Sequence, residues 1–242
     1  GAKAFNPETQ FAREQAIFGA DTQFYGWHYP PVFLLVAELL AHLPYLAALG
    51  MWLLVMGAAY VACMRTILPL ASTEMVAFGF TAVWVNVTHG HNGFLTAALM
   101  GWALHVLPRR PWLAGVLMGC LCYKPQYGLL LPLVLLAGGH GRTFVAAALT
   151  VAVLCALSYL RDNGASWHAF FQFASFTRVV VLEEGGTGFY KMQSLFAWVR
   201  YWGGTVPLAY AVQGALLLWV LVVLWRCWRS SLAADRKAVA LI

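Results

Sequence analysis

The fold is decided by an uncharged run at residues 45–64, which has the sequence YLAALGMWLLVMGAAYVACM. A run of this length matches the roughly 20 apolar residues that an α-helix needs to cross the hydrocarbon core of a bilayer. Arg65 follows directly and marks a polar boundary. The run therefore predicts a membrane-spanning helix.

The composition of the whole chain agrees with this interpretation. Of 242 residues, 62% are hydrophobic and only 10% are charged, which is too little polar surface to coat a soluble globule. The 15 Lys and Arg exceed the 9 Asp and Glu, but the basic residues stand singly or in pairs between apolar runs. That pattern is typical of membrane topology and does not indicate a nucleic-acid partner.

Repeated apolar runs predict an all-α, polytopic integral membrane protein with about seven or eight membrane helices. We divide the chain into an outer loop at residues 1–30, a transmembrane bundle at 31–160, a non-cytoplasmic loop with an interfacial aromatic helix at 161–204, and a C-terminal span with the start of a next helix at 205–242. Within the bundle, residues 71–87 are predicted as one span. The short apolar segment at 31–43 is predicted as a re-entrant or tilted helix.

The positions of the basic residues predict which loops share a side of the membrane. Strict alternation of the spans from Tyr45 onward places Arg65, the Arg109–Arg110 pair, Arg142 and the basic cluster that begins at Arg226 on one side. The positive-inside rule makes that side cytoplasmic. The other, non-cytoplasmic side then receives most of the residues that could carry chemistry.

Lys124 is the most informative of these residues, because it lies between two short apolar helices where a purely structural role for a charge is costly. A lysine there suits a lipid phosphate or pyrophosphate, and the alternative is that its side chain snorkels to the headgroups. Arg178 and Lys191 are further candidates for binding phosphate. Glu38 and His42 share a helix face and are predicted to form a structural pair.

The substrate-binding candidates are His28, His91, Asn92, Gln126, Glu183 and Glu184. Gly90 and Gly93 allow close backbone approach, so that His91 and Asn92 are expected to hydrogen-bond a substrate hydroxyl or a neighbouring loop. His89 and His91 have the spacing of metal ligands but no third ligand close in sequence, so we expect neither a metal nor a cofactor. The acidic pair is predicted to lie beside a sugar, with a solvated loop as the alternative.

Seven short motifs occur in this order: YPPVFLL at residues 29–35, GHNGFLTA at 90–97, LAGV at 113–116 leading into YKPQ at 123–126, FTR at 176–178, LEEG at 182–185, and KMQS at 191–194. Together they resemble glycosyltransferase family 87, a group of bacterial membrane glycosyltransferases. The resemblance covers nearly the whole chain. Each motif alone has low specificity, and their order is what carries the likeness.

The resemblance implies a C-type glycosyltransferase fold in the bacterial inner membrane. It also implies transfer of a hexose, typically mannose, from a polyprenyl-phosphate donor to a glycolipid or glycan acceptor outside the cytoplasm. Lys124, with Arg178 or Lys191, would stabilise the departing lipid phosphate. Family members use an Asp of the first outer loop as general base, which we expect upstream of residue 1. The chain is thus expected to be truncated at both ends and inactive by itself.

Two other functions compete with this one. A lipid or solute transporter, including a flippase, also has intramembrane charges and broken helices. The absence of a visible inverted repeat and the crowding of candidates at one surface favour the transferase. A non-catalytic assembly subunit is the third possibility.

Overall fold

The computed structural model describes residues 1–186 and 188–241. The described residues are mostly helical and contain no β-strand, which confirms the all-α prediction. The α-helices span Pro7–Phe18 (α1), Leu34–Ala41 (α2), Tyr45–Ile67 (α3), Thr73–Gly79 (α4), Thr81–His89 (α5), Gly93–Val106 (α6), Pro111–Gly119 (α7), Tyr127–Ala137 (α8), Gly141–Leu160 (α9), Ala165–Phe176 (α10), Leu195–Tyr201 (α11), Val206–Arg229 (α12) and Ala234–Leu241 (α13). A 3-10 turn at Cys120–Tyr123 extends α7, and a π-helix at Thr177–Glu183 extends α10.

Local sequence signals set several helix ends. Asn6 caps α1, with its side-chain oxygen accepting a hydrogen bond from the Thr9 N–H at 3.0 Å, and Ser194 caps α11 in the same way through Ala197. Pro44 has an extended conformation directly before α3. Asn6 and Ser194 accept hydrogen bonds from N–H groups of the first helical turn, and Pro44 has no N–H group to leave unpaired. Each of these helices therefore begins at a defined residue.

Three helices of the described residues are long and apolar enough to cross a membrane. They are α3, α9 and α12, with mean hydropathies of 2.0, 2.1 and 2.1. Large apolar side chains on them point outward: Leu54 is 75% exposed and Leu218 is 66% exposed. A protein in water would bury such surface, whereas lipid accepts it. The protein is therefore a helical membrane protein.

The remaining apolar helices are shorter than a full span. They are α6, α7 with its 3-10 turn, α8, and the segment Pro31–Ala41. At 1.5 Å per residue, a helix of 14 residues such as α6 is roughly 21 Å long, against a hydrocarbon core of about 30 Å. The structure therefore supports three full-length spans, and the larger predicted number of membrane helices is not established by it.

The prediction of one span at residues 71–87 is wrong. That stretch forms two short helices, α4 and α5, because Phe80 takes an extended conformation between them. Hydropathy alone does not register such a break, since both halves and the break itself are apolar.

The closest helix pair is α7 with α9. Gly115 lies against Thr143 and Ala146, and Gly119 lies against Ala147 and Thr150, so the two helices run parallel. A Cβ atom on Gly119 would stand 2.5 Å from Cβ of Thr150. Small residues let helix backbones approach closely in a membrane, where packing replaces the hydrophobic effect as the force between helices.

The helix directions bring the basic residues to one end of the bundle. The turn before α7 and the turn before α9 meet around Pro111 and Arg142, and Trp228 near the end of α12 packs on His140, with ring centroids 5.9 Å apart. The His91 and Lys124 turns lie at the opposite end. The structure thus separates the basic end from the end with the candidate site residues.

The segment 161–204, predicted as a loop with an interfacial aromatic helix, contains more helix than that one element. It contains α10, the π-helix and α11. The expected aromatic helix is present as α10, but one side of it is packed: Phe173 is 4% exposed and contacts the cluster of Phe5 and Leu34. Phe171 on its other side is 66% exposed. Tertiary contacts with the N-terminal segment hold α10 on the bundle.

An ion cluster joins α2 to the end of α9. Arg161 pairs with Glu38 and with Asp162 at 3.1 Å, so the predicted partnership of Glu38 with His42 is wrong. Ser166 donates its backbone N–H to Asp162. Burial would raise the pKa of Asp162, but the hydrogen bonds from Ser166 and the Arg161 guanidinium hold the pKa below its ordinary value.

We expect Arg161→Leu to lower the free energy of unfolding by about 1–3 kcal/mol, because it leaves two carboxylates without their cation in a partly buried site. The apparent Tm of the full chain in detergent measures this. Arg13→Leu on α1, which removes an exposed arginine, is the matched control and should leave Tm unchanged. Equal Tm values for the two variants would show that the cluster does not hold α2.

Candidate functional site

The turn between α5 and α6 has a defined shape. Gly90 ends α5 in the left-handed conformation, with φ of +60°, which a residue with a Cβ atom rarely adopts. The buried Asn86 side chain accepts a hydrogen bond from the Gly93 N–H at 2.7 Å, and the His91 N–H donates to the Asn86 carbonyl oxygen at 3.0 Å. These contacts bury Asn92 and leave His91 exposed at the end of the bundle.

The turn that carries Lys124 is supported by aromatic side chains. Tyr123 is 2% exposed, its hydroxyl lies 2.8 Å from Oγ1 of Thr96, and its ring stacks on Phe33 at 4.8 Å. The ring of Tyr29 also lies near the Tyr123 ring, with 6.3 Å between the two ring centroids. Because the preceding residue is locked in this way, the position of the Lys124 backbone is fixed.

Lys124 itself is a half-buried cation. No carboxylate of the described residues lies within salt-bridge distance of it. Its ammonium lies 6.0 Å from the centre of the Tyr123 ring, where the ring face attracts a positive charge. Partial burial lowers the pKa of Lys124. An anion bound at this position would form an ion pair with Lys124, which no carboxylate of the described residues forms.

The Lys124 turn lies below the end of α9. The helices α7 and α9 run parallel, and Gly119 is level with Thr150. The heights of the segments that follow these two residues can therefore be compared along the common helix direction. Lys124 follows Gly119 by five residues, whereas α9 continues for ten residues past Thr150. At about 1.5 Å per residue in α9 and about 2.0 Å in the 3-10 turn, the Lys124 turn ends roughly 5–7 Å short of the last residue of α9. The cation therefore lies beside the last turns of α9, where it is half-buried.

His91 lies close enough to Lys124 to respond to its charge. Partial burial lowers the pKa of His91, and the neighbouring His89 and Lys124 lower it further. The rings of His89 and His91 stack with centroids 5.5 Å apart. At neutral pH the imidazole of His91 is therefore uncharged and can accept or donate a hydrogen bond.

A cavity of about 580 Å³ lies against the turn between α5 and α6. Its walls are apolar and come from α2 and α3, with Val36, Leu40 and Leu49 among them. His91 and Asn92 form its polar floor, where the Trp52 indole N–H donates to the His91 carbonyl oxygen at 3.4 Å. No Asp or Glu of the described residues lines this cavity.

A second, more apolar groove of about 510 Å³ runs between α7, α8 and α9. It begins at Cys122 and Pro125, on either side of Lys124, and extends to Phe144 in the first turn of α9. Gly119 and Gly128 line it and contribute no side-chain volume. Lys124 therefore follows a residue at one end of the apolar groove, and its charge acts on His91 in the cavity with the polar floor.

Other predicted site residues gather elsewhere. Arg178 lies 3.7 Å from Glu183, the Tyr210 hydroxyl donates to the Glu183 carboxylate at 2.9 Å, and the Arg200 guanidinium donates to the Glu183 carbonyl oxygen at 2.9 Å. These bonds tie the π-helix to α11 and α12. No hydrogen bond, ion pair or ring contact among the described residues joins this group to Lys124.

The remaining candidates are placed separately. His28 stacks on Phe173 at 5.6 Å, and its Nδ1 lies 3.2 Å from the Thr177 hydroxyl. Packing on α10 desolvates the ring and lowers the pKa of His28. Gln126, Glu184 and Lys191 are exposed, and the Lys191 ammonium lies 5.5 Å from the Tyr190 ring centre. Within the described residues, no three metal-ligating side chains converge.

The structure thus brings together three of the predicted residues, His91, Asn92 and Lys124. Sequence reasoning missed their aromatic supports. Tyr29 and Tyr123 stand inside the quoted motifs at 29–35 and 123–126, so the motifs contained the signal. Trp52 lies in an apolar span, and the chain has ten other tryptophans. No neighbouring residue in the sequence distinguishes Trp52 from them.

Fold and site together define a helical membrane protein with a half-buried cation at one end of its bundle that forms no ion pair within the described residues. The chain belongs to glycosyltransferase family 87, whose model matches residues 27–242, and it is therefore a glycosyltransferase. This confirms the family that the ordered motifs indicated. No curated protein and no solved structure matches the chain.

Proposed function

We propose that the protein transfers a hexose, with mannose as the first candidate, from a polyprenyl-phosphate donor to a glycolipid or glycan acceptor. The observation that carries this proposal is the position of Lys124. This half-buried cation forms no ion pair within the described residues, it lies next to residues that line an apolar groove, and its charge acts on His91 in a cavity with a hydrogen-bonding floor. A lipid-phosphate sugar has the same three parts in the same order: an apolar chain, a charged phosphate and a polar sugar.

Each part of the donor is assigned to one surface. The isoprenoid chain lies in the groove between α7, α8 and α9, whose lining is apolar from Pro125 to Phe144. The phosphate lies at Lys124, which acts as a point charge. The sugar extends toward His91 and Asn92, where an uncharged imidazole and an amide can bind its hydroxyls.

The reaction is a substitution at the anomeric carbon. The acceptor hydroxyl oxygen forms a bond to that carbon, the bond from the carbon to the phosphate oxygen breaks, and the hydroxyl proton passes to a base. The phosphate leaves with an added negative charge. Lys124 stabilises this charge, which is greater in the transition state than in the bound donor.

The orientation follows from the charges. The basic end of the bundle carries Arg65, Arg109, Arg110 and Arg142, so the positive-inside rule places it in the cytoplasm. The site at the other end is then non-cytoplasmic, in a multi-pass protein of the bacterial inner membrane. We propose a C-type fold in which the shorter apolar helices join α3, α9 and α12 to give about seven or eight membrane helices.

The other candidates take supporting roles in this proposal. Arg178 and Lys191 are additional cations for the phosphate, and Glu183 and Glu184 are hydroxyl ligands for the acceptor. His28 and Gln126 complete the substrate surface. Glu183 is already engaged by Tyr210 and Arg200, so its contribution depends on a rearrangement of the π-helix.

The test uses the complete protein, and not residues 1–242 alone, in liposomes with radiolabelled polyprenyl-phosphate mannose and an extract of bacterial glycolipids as acceptor. We expect label to move from the donor to the acceptor fraction, with release of unlabelled polyprenyl phosphate. A fluorescent polyprenyl-phosphate sugar in the same liposomes tests the competing function. If it crosses the bilayer with its sugar–phosphate bond intact while no label is transferred, the protein is a flippase.

A further inference from the structure

A third groove lies at the basic end of the bundle, away from the site described above. It has a volume of about 460 Å³ and is formed by the end of α3, the last turns of α6 and the first turns of α7. Trp102, Leu113 and Leu117 form apolar walls, and Arg109, Arg110 and His105 stand around it. The proposed sugar transfer uses none of these residues.

Hydrogen bonds fix the backbone of the two arginines at this groove, and their side chains form no ion pair within the described residues. The N–H groups of Arg109 and Arg110 both donate to the Val106 carbonyl oxygen, at 3.0 and 2.7 Å. Both residues are exposed, and no carboxylate of the described residues lies within salt-bridge distance of them. The nearby Arg65 differs, because it pairs with Glu74.

The walls of the groove face outward between helices. Leu113 is 40% exposed, and the adjacent Trp112 is 54% exposed. The Trp102 indole N–H donates to the Thr66 hydroxyl, with 3.5 Å between nitrogen and oxygen, and both residues line the groove. The positive-inside rule accounts for arginines at this end of the bundle, but it requires no apolar groove directly beneath them.

We propose that this groove binds one anionic phospholipid. The phosphate lies between Arg109 and Arg110, and guanidinium groups bind phosphate oxygens in a fixed planar geometry. One acyl chain lies along Trp102, Leu113 and Leu117. Basic sites between membrane helices on the cytoplasmic side recognise anionic headgroups in this way, and the apolar walls distinguish a whole lipid from a free phosphate.

Native mass spectrometry of the full chain in detergent tests the proposal, with phosphatidylglycerol and phosphatidylcholine added separately at equal concentration. We expect one phosphatidylglycerol to be retained in preference to phosphatidylcholine. Arg109→Gln with Arg110→Gln should reduce this retention about tenfold. The matched control, Arg142→Gln with Arg229→Gln, removes two charges from the same end outside the groove and should leave retention unchanged.

A second measurement needs no charge substitution. Brominated phosphatidylglycerol should quench the fluorescence of the wild-type protein more than that of Trp102→Phe, because the acyl chain contacts this indole. Equal quenching of both proteins, equal retention of the two lipids, or equal loss in the control variant would each overturn the proposal. Full displacement of the lipid by glycerol phosphate would show that the groove binds a headgroup alone.

Discussion

Replacement of Lys124 by Ala is expected to lower the rate of sugar transfer by about 10²–10³-fold. Loss of one preorganised group that stabilises transition-state charge has this effect in other enzymes. Lys124 is half-buried and has no carboxylate partner in the described part of the chain, so no neighbouring charge takes over its role. The measurement is the transfer of label from polyprenyl-phosphate mannose by the complete protein in liposomes, with donor binding followed separately.

Three variants make this result specific. Lys124→Arg keeps the charge and should retain more activity than Lys124→Ala. Lys3→Ala removes an exposed lysine near the N-terminus and should have no effect. Lys191→Ala should have a smaller effect than Lys124→Ala, because Lys191 is exposed whereas Lys124 is half-buried. Near-normal transfer by Lys124→Ala would remove this residue from the site.

The second large effect is on the fold. Gly115→Leu should lower the free energy of unfolding by about 2–3 kcal/mol, because added volume in a tight helix contact forces backbones apart. A Cβ atom on Gly115 would overlap the Thr143 carbonyl oxygen and stand 2.5 Å from the Ala146 Cβ. A carbonyl oxygen in a helix cannot move away as a flexible side chain can. The apparent Tm in detergent and the yield of monodisperse protein measure the loss.

Gly128→Leu is the matched control for this substitution. Gly128 lies in α8, and a Cβ atom there would meet no atom within 4 Å. Its Tm should equal or slightly exceed that of the wild-type protein, because leucine is a better helix former than glycine. A Tm for Gly115→Leu within error of this control would show that α7 and α9 do not depend on close contact.

Much of the helical framework could be predicted from local patterns. The span that begins at Tyr45, the break before Pro111 and the end of α9 at Leu160 agree with the apolar runs and their polar boundaries. These features depend on length, hydropathy and the conformational limits of proline, all of which are properties of a few consecutive residues. The order of the motifs likewise identified the family.

Two features depend on contacts between residues far apart in sequence. Glu38 pairs with Arg161 on another helix. The aromatic helix within 161–204 was predicted, but its packing partners Phe5 and Leu34 were not. A local pattern contains no information about such partners.

The candidate site shows the same division. The sequence alone determined that Lys124 is an isolated cation between apolar helices and that His91 and Asn92 follow a glycine turn, because these are statements about neighbours in the chain. Only the tertiary structure decided that these turns meet, while Arg178, Glu183 and His28 contact other elements. The parallel packing of α7 on α9 is one physical reason, since it sets the level at which α7 ends relative to α9 and so places Lys124 beside the last turns of α9.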